Sequence, residues 1–161
     1  MADLLGALRT LALHRVDFTV VGGVAAVLQG VALVTMDLDV VYGLDDENVD
    51  RMLQALDDLD ARFRTHPDLR PDRSHVASRG HKLMLTRCGP VDVLGYAGQQ
   101  HDYVDLARHS RLISLGDDLE VLVVDLPMLI RIKEELPYEK DRAVLPLLRA
   151  TLRARDSAEE S

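Results

Sequence analysis

The sequence predicts a single α/β (α+β) domain in which helices flank a mixed β-sheet, and three observations lead to that fold class. The chain has 161 residues, the length of one domain, and 47% of them are hydrophobic. Short runs rich in Val and Leu, bounded by Gly, Pro or Asp, are typical of buried strands. Segments with apolar residues at helical spacing lie among them. We therefore expect the helices to pack around one small sheet.

The first half of the chain predicts alternating helices and strands. Leucines at helical spacing follow Asp3, and Asp45 or Asp46 can cap a later helix that has one apolar and one acidic face. Residues 61–80 contain two prolines and many polar residues, so we expect a strand fragment at Arg62–Thr65 and then a loop. The expected elements before that loop are helix 3–14, strand 18–21, helix 23–30, strand 37–42 and helix 46–60.

The second half predicts a hairpin, two further strands and two helices. Cys88–Pro90 is a turn signal, Asp125 is a good N-cap, and Pro137 ends the helix that Asp125 starts. We expect a domain of residues 1–155 and a disordered acidic tail at 156–161. The expected elements are strands 82–87 and 91–94, a helical turn at 100–108, strands 111–114 and 119–123, a helix at 125–136 and a last helix at 141–155.

Composition and charge argue against several classes of protein. The net charge of −8 argues against a duplex-DNA binder, which would need a basic excess. The nineteen uncharged residues 18–36 could suggest a membrane span, but internal glycines and acidic flanks argue against one. The N-terminus has Asp3 where a secretory signal would be basic, and Cys88 is the single cysteine. We therefore predict a cytoplasmic protein that does not bind membranes.

Charge is distributed in two blocks of opposite sign. Residues 45–60 (the acidic block) hold seven acids against one arginine. Residues 62–87 (the basic block) hold seven Arg and Lys residues against two acids. Such blocks are usually solvated faces. The alternative is that the basic block faces a phosphate-bearing substrate, such as an RNA end.

Asp37, Asp39 and Asp92 are the strongest candidates for chemistry. Each belongs to an apolar, strand-like run, where a charge is costly unless it is paired or metal-bound. Asp37 and Asp39 are two residues apart, so their side chains point to the same face of a strand. Three carboxylates on neighbouring strands could hold one or two Mg²⁺ ions, and the alternative is that they simply face solvent. Gly22–Gly23 shortly before them suits a phosphate, so we favour a nucleotide-and-metal site.

A longer pattern connects these residues. Val20–Gly23 (VVGG) is followed by thirteen residues and then by Asp37–Val40 (DLDV), and Val91–Val93 (VDV) comes later. This order resembles the signature of the DNA polymerase β-like nucleotidyltransferase superfamily. More narrowly, the chain is similar to small bacterial nucleotidyltransferases of the antitoxin and abortive-infection type. Those carry Thr-x-Asp-x-Asp, matched at 35–39, and an apolar helix with a lysine followed by Lys-Asp, matched at 129–133 and 140–141.

The resemblance implies a nucleotidyltransferase-like fold and an activity. The implied reaction is Mg²⁺-dependent transfer of a nucleoside monophosphate from an NTP to a hydroxyl of a protein, an RNA end or a small molecule. The implied catalytic residues and metal ligands are Asp37, Asp39 and Asp92. The implied nucleotide-binding residues are Gly22, Gly23, Thr35 and Lys133.

Two positions depart from the pattern of the small bacterial relatives. Those proteins often have an arginine two residues before the threonine and another two residues before the Lys-Asp pair. Here these positions are Leu33 and Tyr138. The alternative function is therefore a catalytically weak antitoxin or binding module that acts by contact with a protein toxin.

Overall fold

The computed structural model describes residues 2–160 and confirms a mixed α/β single domain. The first half contains α1 (Leu4–Leu13), β1 (Phe18–Val21), α2 (Gly22–Leu28), β2 (Leu38–Tyr42), α3 (Asp46–Asp58), β3 (Arg62–Phe63) and α4 (Arg73–Ala77). The second half contains β4 (Lys82–Thr86), β5 (Gly89–Leu94), α5 (Tyr103–Ala107), β6 (Ser110–Ser114), β7 (Glu120–Val124), α6 (Leu126–Glu135), α7 (Glu139–Ala143) and α8 (Leu145–Glu160).

The strands form one mixed sheet in the order β3-β4-β5-β2-β1-β7-β6. β2 pairs in parallel with β5, and β1 with β7, whereas the other neighbours are antiparallel. The predicted hairpin is confirmed as β4 and β5. Because β5 inserts between β4 and β2, the strand that follows the glycine pair lies directly beside the strand that carries Asp92.

Helices pack on the two faces of the sheet. On one face, the Tyr42 hydroxyl donates a hydrogen bond to the Val76 carbonyl of α4. Asp39 lies three residues before Tyr42 on the same strand and therefore points to the opposite face, where α2 contacts β1, β2 and α6. Gln29, directly after α2, donates to the Val124 carbonyl and accepts from the Leu126 amide. This double hydrogen bond holds α2 against the start of α6.

The predicted caps explain several helix starts. Asp45 accepts a hydrogen bond from the Asn48 amide at the start of α3, and Asp125 accepts one from the Leu126 amide at the start of α6. Pro127 lies in the first turn of α6, where its missing N–H costs little. The helical pattern and the caps therefore locate these two helices from local sequence.

Three segments differ from the sequence-based expectation. Helix α4 lies within the stretch expected to be a loop, and Asp72 caps it through the His75 amide. The expected last helix is divided into α7 and α8, because Pro146 supplies no N–H and lies in the first turn of α8. Helix α8 continues to Glu160, beyond the expected end at Arg155, and the disorder of 156–161 stays a prediction.

Across residues 2–160, the helices are too short or too polar for any of them to cross a lipid bilayer. The nineteen uncharged residues are divided between β1, α2 and the segment that leads into β2. The residues of β1 and residues 24–26 of α2 are buried within the domain, whereas Val34 and Met36 are exposed.

Candidate active site

Asp39 and Asp92 are direct neighbours across two parallel strands. The register of β2 and β5 pairs Asp39 with Asp92, so both carboxylates point to the same face of the sheet. They are close enough to share a hydrogen bond, and Asp92 is only 9% exposed. Burial first, then the Asp92 and Asp37 carboxylates, raise the pKa of Asp39 from 3.8 to about 7, although Lys133 acts in the opposite direction. The pair therefore carries a local excess of negative charge, which a cation would relieve.

Gly22 lies against the Asp39 carboxylate. Val21 pairs with Asp39 across β1 and β2, and Gly22 follows with a φ of +67°. A Cβ at Gly22 would overlap the Asp39 Oδ2 atom. Both the backbone conformation and the close approach therefore require glycine at this position.

Gly23 and Thr35 are also in contact. A Cβ on Gly23 would lie 2.8 Å from the Thr35 Oγ1 atom. The Thr35 hydroxyl donates a long, 3.4 Å hydrogen bond to the Asp37 carbonyl. Asp37 itself lies one residue before β2 and is half-buried. The segment before β2 thus brings the threonine to the glycine pair and leaves Asp37 at the rim of the carboxylate pair.

Lys133 reaches the same region from α6. A pocket of about 170 Å³ lies between Gly22, Gly23, Thr35 and Lys133 at its polar side. Its remaining walls are apolar, formed by Ala26, Leu33, Val34, Leu129, Val144 and Leu148. All four predicted nucleotide-binding residues therefore line one cavity, and Leu33 contributes an apolar wall where the relatives' arginine would be.

Lys133 forms an ion pair with Asp141, which belongs to the Lys-Asp pair that matches the small bacterial relatives. Its Nζ atom lies 2.6 Å from Asp141 Oδ1, and Asp141 is 6% exposed. Asp141 lies in the first turn of α7, so it is both part of a helix start and a neighbour of the pocket. Tyr138 caps α7 and is 59% exposed, and it does not line the pocket.

Sequence reasoning missed Arg64. Its Nη2 atom lies 2.7 Å from Asp92 Oδ1 and 3.1 Å from the Met84 carbonyl oxygen. Arg64 follows the short edge strand β3, within the stretch expected to be a strand fragment and loop. The basic block was the one signal that could have suggested it, and nothing local singles out this arginine among the others.

The donor chemistry of the site fits a divalent cation. Carboxylate oxygens are the protein ligands that Mg²⁺ prefers, and Asp39 and Asp92 face each other closely enough to share one cation. In residues 2–160, however, no three His, Cys, Asp or Glu side chains gather around one point as a metal would require. Asp37 lies outside β2 and is half-buried, and Arg64 donates a hydrogen bond to one oxygen of Asp92. The best candidate for a metal site in residues 2–160 is therefore the Asp39 and Asp92 carboxylate pair, with Asp37 near it.

Most of the basic block pairs with the acidic block. Arg62, Arg70, Arg73 and Arg87 form ion pairs with acids of residues 45–60. The side chains are exposed, so each pair contributes little to stability, but together they neutralise the two blocks. This arrangement favours the interpretation of the blocks as solvated faces over a broad phosphate-binding surface.

Sequence comparison leaves the family open. No protein-family model matches the chain, and no curated protein matches it by sequence. The chain is similar in structure to a 1.87 Å crystal structure of a "putative nucleotidyltransferase" from Thermotoga maritima. The similarity has a TM-score of 0.53 at 16% sequence identity and covers 98% of this chain and 91% of that one. The domain described here therefore has a nucleotidyltransferase-like fold.

Proposed function

We propose that the protein is a Mg²⁺-dependent nucleotidyltransferase that moves a nucleoside monophosphate from an NTP to a hydroxyl acceptor. The observation that carries the proposal is the convergence of two sets of residues. The Asp39–Asp92 pair lies on one side of Gly22, and the pocket with Gly23, Thr35 and Lys133 lies on the other. A carboxylate pair beside a pocket with backbone amides and a lysine suits a triphosphate and its metal.

In this proposal the pocket binds the nucleotide. The Gly22 and Gly23 amides, the Thr35 hydroxyl and the Lys133 ammonium bind phosphate oxygens. Lys133 also forms an ion pair with Asp141, and this charge-assisted contact fixes the position of the lysine Nζ atom beside the pocket. Thr35 contacts Gly23, so it also holds the segment before β2 against the glycine pair.

The carboxylates act on the reacting groups. Asp37, Asp39 and Asp92 would hold Mg²⁺, which when bound offsets the charge of the phosphates. The acceptor hydroxyl oxygen forms a bond to the α-phosphorus, the bond from that phosphorus to the bridging oxygen breaks, and pyrophosphate leaves. In this proposal Asp92, which lies directly beside Asp39, takes up the hydroxyl proton.

The test uses NTPs labelled at the α-phosphate, incubated with the protein, Mg²⁺ and cell lysate. We expect label on protein, RNA or a small molecule with the parent and none with an Asp37→Ala/Asp39→Ala variant. The matched control is Asp156→Ala/Glu159→Ala, which removes the same charge from the exposed end of α8. Label transferred from the γ-phosphate instead of the α-phosphate would contradict nucleotidyl transfer.

A second candidate is a catalytically weak module that acts by contact with a partner such as a protein toxin. The observation that favours it is that the charges of the site already have protein partners. Arg64 pairs with Asp92, and Asp141 pairs with Lys133. Beside the site, Val34 and Met36 are 94% and 63% exposed, as contact residues would be. Absence of α-label transfer, together with co-purification of one stoichiometric partner that a Val34→Ser/Met36→Ser variant loses, would favour this candidate.

A further inference from the structure

Arg64 and the carboxylate pair lie in one cross-strand row. The Arg64 amide donates a 2.9 Å hydrogen bond to the Leu83 carbonyl, which extends the ladder between β3 and β4. Leu83 pairs with Asp92, and Asp92 pairs with Asp39. Strands are about 4.8 Å apart, so the Arg64 backbone lies about 10 Å from that of Asp92. An extended arginine side chain spans this distance across Leu83.

The Arg64 contact with Asp92 is made by one nitrogen atom. Nη2 donates to both Asp92 Oδ1 and the Met84 carbonyl, at 2.7 and 3.1 Å. The Nε atom is buried, and within residues 2–160 it has no hydrogen-bond partner. A bidentate arginine–carboxylate pair would use two nitrogens and be harder to separate. The ion pair between Arg64 and Asp92 is therefore held by a single nitrogen atom.

The position of Arg64 differs from that of the other arginines in the basic block. Arg62 lies two residues before Arg64, and it forms an ion pair with the exposed Asp60 at 3.5 Å. Arg64 instead places its positive charge on the nearly buried carboxylate of Asp92, which adjoins Asp39. Two carboxylates in contact repel each other, and a cation between or beside them removes that cost. Arg64 supplies this positive charge from within the chain.

We propose that Arg64 is a built-in counter-ion of the Asp39–Asp92 pair, which must release Asp92 before a divalent cation binds there. This inference rests on the proposed function, because it takes Asp39 and Asp92 as the metal ligands. A divalent cation that binds there would replace the single positive charge of Arg64 beside the Asp92 carboxylate with a double positive charge. Arg64 is a positioning residue, since it acts through Asp92, and it sets the cation concentration at which the site fills.

The test measures binding of Mn²⁺ alone, by electron paramagnetic resonance of the free ion, without nucleotide. We expect Arg64→Gln to bind Mn²⁺ about tenfold more tightly than the parent, because a neighbouring positive charge and a competitor for Asp92 are both removed. Arg64→Lys keeps the charge and should remain within about threefold of the parent. Arg62→Gln is the matched control, because it removes an arginine two residues earlier that has no contact with Asp92, and the affinity of this variant should equal that of the parent.

The outcomes separate this inference from the proposed function. Unchanged affinity in Arg64→Gln would overturn the counter-ion role, and weaker affinity would show that Arg64 instead holds Asp92 in its binding position. Asp39→Asn should abolish the binding in both the parent and the Arg64→Gln background. If Mn²⁺ binding survives Asp39→Asn, the proposed metal site is wrong whatever Arg64 does. If Arg64→Gln unfolds, Mn²⁺ binding is compared among the parent, Arg64→Lys and Asp92→Asn. The counter-ion role of Arg64 is overturned if Arg64→Lys weakens Mn²⁺ binding as strongly as Asp92→Asn does.

Discussion

Substitution of Gly22 by alanine tests the close packing of the glycine pair against the carboxylates. The perturbation adds one methyl group at a residue with a φ of +67°, where it would overlap Asp39 Oδ2. Gly30 provides a matched control, because its φ is +92° and a Cβ there meets nothing within 4 Å. Both variants therefore lose stability because alanine is placed in the left-handed backbone region. Only Gly22→Ala must also displace the Asp39 carboxylate.

The magnitude follows from these two contributions. A non-glycine residue in the left-handed region costs about 1–2 kcal/mol. Accommodating the methyl group against the Asp39 carboxylate moves a partly buried side chain, and this overpacking adds about 1 kcal/mol. We therefore expect Gly30→Ala to cost about 1–2 kcal/mol and Gly22→Ala about 2–3 kcal/mol. For a chain of this size each kcal/mol lowers Tm by roughly 2–4 °C.

The assay is urea unfolding of five proteins: the parent, Gly22→Ala, Asp39→Ala, the double variant of these two positions, and the control Gly30→Ala. In the Asp39→Ala background the methyl group meets no carboxylate, so Gly22→Ala should cost no more than Gly30→Ala does. The coupling free energy between the two positions is then about 1 kcal/mol. Equal costs of Gly22→Ala in both backgrounds would show that the glycine is required by its backbone conformation only, and the packing argument would be wrong.

Three further predictions concern charges and hydrogen bonds around the site. Lys133→Met should destabilise the protein by about 2–3 kcal/mol, because it leaves the buried Asp141 carboxylate unpaired, and Asp141→Asn in the same chain should recover most of that loss in thermal unfolding. Burial acts to lower the pKa of His101, but hydrogen bonds to the Glu135 and Asp105 carboxylates raise this pKa above 6.5. The stabilisation of the fold by protonated His101 is therefore complete below pH 6.5 and is lost as the pH rises through the folded-state pKa. His101→Gln should therefore cost about 1–3 kcal/mol in urea unfolding at pH 5.5 and clearly less at pH 8.5, whereas the exposed His109→Gln should show no such difference. Tyr42→Phe should cost about 1–3 kcal/mol at pH 7, because a buried backbone carbonyl loses its donor, and a chemical-denaturation midpoint equal to that of the parent would contradict this.

Much of the fold follows from local sequence. The alternation of apolar runs and amphipathic segments predicts β1, β2, the β4–β5 hairpin and the longer helices, because each pattern depends on neighbours within one element. The caps Asp45 and Asp125 add two helix starts for the same reason. Helix α4 was missed because it is only five residues long and lies in a stretch whose prolines and polar residues are typical of a loop.

The site is only partly accessible from sequence. The order of Gly22–Gly23, Asp37, Asp39 and Asp92 suggests a site through its resemblance to a family, and the roles of these residues stay predictions. The basic block illustrates the limit, since its charges left open both a solvated face and a phosphate-bearing substrate. In the fold, its exposed arginines meet the acids of the other block. Charge composition gives the sign of a segment but not the partner of each side chain.

By itself the sequence determined most of the strands and the longer helices, that a glycine pair precedes two close aspartates, and that the chain carries opposite charge blocks. The tertiary structure decided that Asp39 lies opposite Asp92, that Arg64 reaches Asp92 and that Lys133 pairs with Asp141. The physical reason is that periodicity acts between residues close in the chain. Ion pairs and shared ligands depend on distance in space, and Arg64 and Asp92 are 28 residues apart until the order of β3, β4 and β5 brings them together.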